Sequence, residues 1–414
     1  MKKKKIAIVN QRYGVEVNGG SEQYTRMIAE RLQNYYDIEI LTTCALDYDT
    51  WKNYYKEGIE SINGVKVRRF FVKKERNMLY FRLINKLVMT IPCYKKRLDE
   101  LWLKEQGPYA PTLISYIEKN SKHYDVFIFV TYLYYLTAKG LPLVSDKSIL
   151  IPTAHDEPYI HYDIYKKVFG TAKGIIYLTN EEKKFVETVF SVSEKKNAVI
   201  AVGMEIPQNI DSKKFVEKYQ IKTPYVIYVG RVDYGKNCEE LFKWFIEYKK
   251  KTNSNLMLIL LGKCMMEIPV TKDIVALGFV SEEDKFNGIV GARALIMPSE
   301  YESLSMVVLE AMAMAVPVLV NGKCKVLKEH CQLSGAGRSY SNYEEFEKEL
   351  FLFEGKAVSV HEGVNMTDSE YLFYKESEEY KKMKENGPIY VKERYEWKNI
   401  ESRLVQFIES FKEE

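Results

Sequence analysis

Two carboxylates, Glu302 and Glu310, stand with seven residues between them in the stretch ALIMPSEYESLSMVVLEAMAMAVPVLV, which runs from Ala294 to Val320. Ala294–Met297 reads as a buried strand, and Pro298–Tyr301 breaks it. Met306–Val316 is apolar at every position but Glu310 and reads as a helix packed on most sides; Pro317–Val320 reads as the next strand. An ionised side chain inside an apolar helix is costly to bury unless something specific binds it. Glu302 lies in the loop before that helix with Ser303 and Ser305, where a helix start leaves backbone N–H groups unpaired and exposes the positive end of its dipole. This suits an anion that carries hydroxyls, with phosphate on the helix start and a polyol on each carboxylate. The structural alternative has Glu302 capping the helix and Glu310 paired with a buried Arg or Lys.

Elements elsewhere would have to support such a site. The strand Tyr225–Val229 leads into Gly230-Arg231-Val232-Asp233-Tyr234-Gly235-Lys236-Asn237, where Arg231 and Lys236 flank a turn. Two cations over a strand end can neutralise a diphosphate, although the spacing is not that of a P-loop. Near the start, the strand Lys5–Asn10 precedes Asn18-Gly19-Gly20-Ser21 and a helix from Ser21 to about Asn34. Gly19 and Gly20 permit close approach of a ligand; alternatively the turn is merely tight and Ser21 caps the helix. The spacing is not G-x-G-x-x-G, so no dinucleotide fingerprint is present. Strands are also predicted at Ile38–Thr43, Val65–Val72, Asp125–Val130 and Ser148–Thr153, the last running into Ala154-His155-Asp156-Glu157. His155 at a strand end can donate to a substrate, and Asp156 can fix its tautomer or cap the next helix. Lys173–Thr179 and Asn197–Val202 continue the alternation, and Gly203–Pro207 reads as an interdomain crossing. Leu256–Leu261, Ile274–Leu277 and a helix from Ser281 extend a second series. The pattern is that of an α/β protein with two Rossmann-like, doubly wound domains.

With 414 residues the chain holds about two domains. Its six cysteines are scattered without a C-x-x-C pair, so metal-ligand spacing is absent and a reduced, cytoplasmic compartment is expected. The run IAIVN after MKKKK is too short for a signal-peptide core, and no window reaches the ~18 apolar residues of a membrane span. The net charge of +4 conceals one basic segment, Lys66–Lys104, with twelve basic and three acidic residues. Within it Met78–Leu103 interleaves apolar residues with Arg82, Lys86, Lys95, Lys96 and Arg97, and Pro92 should break the helix. Such a stretch can lie on an anionic membrane surface, or it can be a solvated helix face. No nucleic-acid-binding module accompanies it. Asp47-Tyr48-Asp49 imitates an acidic metal motif of other sugar transferases and reads as a chance loop match.

Taken together, the chain resembles the family 4 glycosyltransferases, retaining sugar-nucleotide transferases of the GT-B fold, whose two domains face each other across a cleft. The strongest match is PSEYESLSMVVLEAMAMAVPVLV; next comes VIYVGRVDYGKN, and weaker ones are NGGSEQ, TAHDEP, LGFVSEED and YEWKNIESR. The resemblance implies an acceptor-side domain over 1–203, a nucleotide-sugar domain over 204–385 and a helical segment over 386–414 returning to the first. It implies that Glu310 holds the ribose and Glu302 the transferred sugar, with the backbone of Leu304, Ser305 and Met306 facing the phosphates. Arg231 and Lys236, beside Gly230, would bind the diphosphate, and Gly19 and Gly20 would approach it or the acceptor. His155 would touch the donor sugar and Phe279 would line the base. No metal and no cofactor beyond the donor substrate is implied. Where many members have Gly-Phe-Gly, this chain has Ser303-Leu304-Ser305, and Lys325 and His330 stand without a role.

The expected function is transfer of a sugar from a nucleoside diphosphate sugar to a glycan or lipid-linked acceptor in cell-surface polysaccharide or glycoconjugate synthesis. The place would be the cytoplasm, with peripheral contact at the inner face of the plasma membrane through Lys66–Lys104. The alternatives are a non-catalytic binding subunit supporting a partner transferase and a soluble small-glycoside synthase.

Overall fold

Short apolar runs build two sheets. In the first, β1 (Lys5–Val9), β2 (Asp37–Thr43), β3 (Gly58–Ile62), β4 (Val65–Phe70), β5 (Val126–Val130), β6 (Ser148–Ile151), β7 (Gly174–Tyr177) and β8 (Lys196–Val199) lie in the order β3-β4-β2-β1-β5-β6-β7-β8. The computed structural model describes residues 3–17, 19–90, 95–358 and 373–411. β5, with the sequence VFIFV, is buried at every position, as a parallel strand covered on both faces must be. β3 is the exception that sequence reading misses. It pairs antiparallel with β4 at the sheet edge, and its GIESI is exposed, so no apolar pattern announces it.

The second sheet is parallel throughout: β9 (Tyr225–Val229), β10 (Met257–Leu261), β11 (Ile274–Gly278), β12 (Leu295–Met297), β13 (Val318–Asn321) and β14 (Gly337–Tyr340), in the order β11-β10-β9-β12-β13-β14. Counted from its own first strand this is the 3-2-1-4-5-6 order of a Rossmann sheet, with the reversal between β9 and β12. Lys356–Val358 and Phe373–Lys375 form a separate small antiparallel pair.

The chain divides into two compact units, Met1–Gly203 with Trp397–Glu414, and Met204–Glu396. The return to the first unit therefore falls at Trp397, not at residue 386. Residue 386 opens Asn386-Gly387-Pro388, a turn-like triplet, yet the helix Glu378–Tyr395 runs through it. Gly387 is needed there because a Cβ would stand 2.3 Å from the Met312 carbonyl oxygen. At the crossing the Met204 N–H donates to the Tyr395 carbonyl at 2.8 Å.

The basic segment resolves into the helices Met78–Thr90 and Lys95–Gln106; Pro92 and the side chains of Lys95, Lys96 and Arg97 lie outside what is described. Much of its charge is engaged internally. Lys66 and Arg68 meet the buried Glu39, Arg69 meets Glu60, and Lys74 meets Glu105. Arg76 is buried against the rings of Tyr48, Trp51 and Phe81. The Asp47 carboxylate accepts from the Thr50 N–H and hydroxyl, so it serves a turn. No helix among the described residues is long and apolar enough to cross a membrane.

Candidate functional site

The second unit gathers most of the predicted residues at its topological switch point, where open α/β sheets bind ligands. β9 delivers Gly230, Arg231 and Lys236, and β12 delivers the loop from Pro298 to Ser305. The β9 turn is packed tightly: Gly230 sits at φ +154°, and a Cβ on Gly262, after β10, would come within 2.0 Å of the Gly230 carbonyl oxygen. The Tyr228 hydroxyl donates to the Arg231 carbonyl at 2.5 Å. Asp233 caps the following short turn by accepting from the Lys236 N–H at 2.8 Å, and its carboxylate lies 3.5 Å from Arg231. Asn237 takes the left-handed conformation that lets the helix Cys238–Thr252 begin.

Lys236 and Glu302 meet directly, Nζ to Oε1 at 2.6 Å. Glu302 therefore does not cap the helix Met306–Ala313, whose N-cap is Ser305. That helix ends earlier than its apolar run because Ala315 turns to φ +57°. Glu310 is buried, and its Oε1 accepts from Lys285 Nζ at 3.1 Å. Burial raises the Glu310 carboxyl above its ordinary value, with Lys285 pulling against it. Lys285, held down by burial, is nevertheless raised on balance by Glu310 and Glu282. The basic partner anticipated for Glu310 is thus Lys285, partly buried on the helix Glu282–Val290 that Ser281 caps. Nothing in the sequence around Lys285 marks it, because the pairing spans twenty-five residues and exists only in the fold.

Two features of the loop before Met306 are those of an anion site. Ser305 holds φ +63°, a region that a residue with a Cβ enters only at a cost. Its hydroxyl is buried and has no hydrogen-bond partner among the described residues. Leu304 is buried, and Phe279, just past β11, is 70% exposed. His330 takes up the Leu304 carbonyl, with Nε2 at 2.9 Å. Asn321, at the end of β13, donates to the Pro298 carbonyl at 3.0 Å, and Lys323 pairs with Glu300.

In the first unit Gly19 is the N-cap of the helix Gly20–Leu32, so Ser21 is not. Gly19 stands at φ +152°, and a Cβ there would lie 2.3 Å from Glu22 Oε2. The buried Glu22 takes Arg12 at 2.5 Å, Gln11 at 3.0 Å and the Ser21 hydroxyl at 2.8 Å. This network, which sequence reading missed, fixes the Gly19–Gly20 turn against a guanidinium. His155 follows β6; its Nδ1 is 3.9 Å from Glu157, which accepts from the Tyr132 hydroxyl at 2.7 Å. Asp156 instead meets His161 at 3.1 Å and so does not orient His155.

The His155 segment is anchored by a residue that no sequence pattern marks. Glu182, on the helix Asn180–Phe190, accepts from the Ala154 N–H through Oε1 and from the Leu178 N–H through Oε2, each at 2.6 Å. Burial pushes its carboxyl up to about 8, while those N–H donors and that of Thr179 act the other way. Glu182→Gln presents an amide N–H₂ to one of the two N–H groups, and each buried donor left unpaired costs about 1–3 kcal/mol. The variant is expected to melt several degrees below wild type in a calorimetric scan, and an unshifted midpoint would show that Glu182 is not the anchor.

Residues 209–345 match the model of the family described as glycosyl transferases group 1. An uncharacterized glycosyltransferase of Methanocaldococcus jannaschii is 24% identical over 97% of this chain and 97% of its own. Among solved structures, sucrose-phosphate synthase from Thermosynechococcus elongatus superposes with a TM-score of 0.67 at 14% identity, covering 99% of each chain. HepE of Anabaena, in complex with UDP-glucose, gives 0.65 at 14% identity over 98% of this chain and 99% of its own. These likenesses show the fold, two Rossmann-like units of the GT-B architecture.

Proposed function

We propose that this chain, a glycosyltransferase of the GT-B type, transfers a sugar with retention from a nucleoside diphosphate sugar to a glycan or lipid-linked acceptor. The observation that carries this is the switch point of the second sheet. There two cations after β9, two carboxylates and a strained helix start after β12 gather at the carboxyl ends of the two central strands. Each has a natural partner in such a donor. Glu310 accepts from the ribose hydroxyls, and Glu302 accepts from hydroxyls of the sugar. The N–H groups of Leu304, Ser305 and Met306 and the Ser305 hydroxyl meet the phosphates. Phe279 borders the base. HepE, solved with UDP-glucose, supports this class of donor.

The chemistry follows the charge. The bond from the anomeric carbon to the phosphate oxygen breaks, and negative charge gathers on the diphosphate. Arg231, Lys236 and the helix dipole stabilise that charge without a metal ion. The acceptor oxygen attacks from the side the diphosphate leaves, forming the new glycosidic bond, and a phosphate oxygen takes its proton.

The reaction would take place at the cytoplasmic face of a membrane during cell-surface glycan synthesis. Five of the twelve cations of Lys66–Lys104 are engaged internally, and among the described side chains the membrane contact falls to the helix Met78–Thr90, which exposes Leu79 and Leu83 beside Arg82 and Lys86. A panel of sugar nucleotides, assayed for nucleoside diphosphate release with glycan and lipid-linked acceptors, tests the activity. One responding donor is expected. Silence across the panel with nucleotide still bound would point to a binding subunit instead. The same preparation is expected to sediment with vesicles of anionic lipid, and protein left in the supernatant would remove the membrane contact.

A further inference from the structure

The left-handed φ of Ser305 is set by the peptide unit Leu304–Ser305. Rotating that unit by about half a turn would carry Ser305 toward a favoured region and swing its N–H round. His330 opposes the rotation. Its ring is fully buried, with Nε2 2.9 Å from the Leu304 carbonyl oxygen and Nδ1 3.0 Å from the Tyr390 hydroxyl. A carbonyl only accepts, so Nε2 carries the proton and Nδ1 accepts from Tyr390. The Tyr390 hydroxyl is itself 3.3 Å from that of Tyr395. Burial brings the ring's pKa down to about 4, so the neutral form persists through the neutral range. The 304–305 peptide is trans, and in a trans peptide C=O and N–H point opposite ways. A grip on the Leu304 oxygen therefore fixes the Ser305 N–H on the far side.

We propose that His330 is a positioning residue for the transfer: by holding the Leu304 carbonyl it locks the strained Leu304–Ser305 peptide so that the Ser305 N–H faces the diphosphate. This rests on the donor placement above. The lock explains how a residue with a Cβ is kept in a conformation suited to glycine, and it predicts that strain and grip are coupled.

The test measures binding of UDP and GDP, with uridine and guanosine as phosphate-free controls, to His330→Phe, His330→Asn and His330→Gln. The same substitutions are then placed on a Ser305→Gly background. A glutamine amide nitrogen lies about as far along the side chain as Nε2, and that of asparagine only as far as Nδ1. His330→Phe and His330→Asn are expected to weaken diphosphate binding by about tenfold, the strain no longer being opposed. His330→Gln should stay within about threefold, and nucleoside affinity should be unchanged in all three. On Ser305→Gly, where the left-handed conformation carries no penalty, His330→Phe should cost less than about threefold. Equal losses on both backgrounds, or asparagine as good as glutamine, would overturn the lock. If His330→Phe does not fold, the asparagine–glutamine comparison decides alone. Wild-type protein that binds neither diphosphate would instead remove the donor placement, a result distinct from a lock that fails in a protein that binds.

Discussion

Lys236→Ala is expected to lower turnover by about two to three orders of magnitude while the second unit stays folded. The reason lies in how its charge is held. Lys236 Nζ is 2.6 Å from Glu302, and its own N–H is fixed by Asp233, so the ammonium is already oriented before any substrate arrives. A preorganised cation aimed at the oxygen that gains charge acts on the transition state more than on the bound donor. The loss should therefore appear in kcat more than in KM. Stability should change far less, since a partly exposed pair is worth about 0–1 kcal/mol. Lys236→Arg keeps the charge with another reach and should fall between. Steady-state rates with the responding sugar nucleotide, beside a thermal melt, make the comparison. A kcat within a few-fold of wild type would take Lys236 out of the chemistry.

The acidic stretch around Glu310 was legible because its physics is local. An apolar run bounded by Pro298 and Pro317 can hardly be other than strand, helix and strand, and a carboxylate within it stands out. The β9 turn was legible for the same reason, a buried strand released at Gly230 into two cations. What the sequence hid is what the fold assembles over distance. Lys285 sits among Glu282, Glu283 and Asp284 like any solvated helix face, and only the packing carries it to Glu310. His330 looks like surface in KVLKEHC, yet it is buried because its helix faces the Leu304 loop on one side and Tyr390 on the other. Arg12 and Glu182 were missed likewise, since each acts on a backbone turn brought near by the sheet. The departure at Ser303-Leu304-Ser305 was visible, but its consequence was not, because a left-handed serine can be recognised only from its φ.

Lys285→Met should be the most destabilising single change among the buried charges of the second unit, and its size should depend on pH in one direction. Methionine matches the length of the lysine stem and removes the one cation within reach of Glu310 among the described contacts. Taking one member from a buried pair costs about 3–5 kcal/mol, because the other is left without compensation. Glu310 can escape that cost by taking up a proton. Its folded-state pKa already lies above the ordinary 4.5 through burial, and losing Lys285 raises it further. Between the unfolded and the folded pKa the native state keeps a proton that the unfolded chain has released. The variant's stability therefore falls as pH rises through that window, and the variant lies nearest to wild type below it. Urea unfolding should show a deficit of about 3 kcal/mol at pH 8 that shrinks to about 1 kcal/mol near pH 5, with the m-value unchanged. Adding Glu310→Gln should recover much of the loss at pH 8, since a neutral amide in that helix no longer needs a cation. A deficit that is flat with pH would mean that Lys285 acts by packing alone, and Glu310 would then be free of the pairing that now holds it where the ribose is proposed to bind.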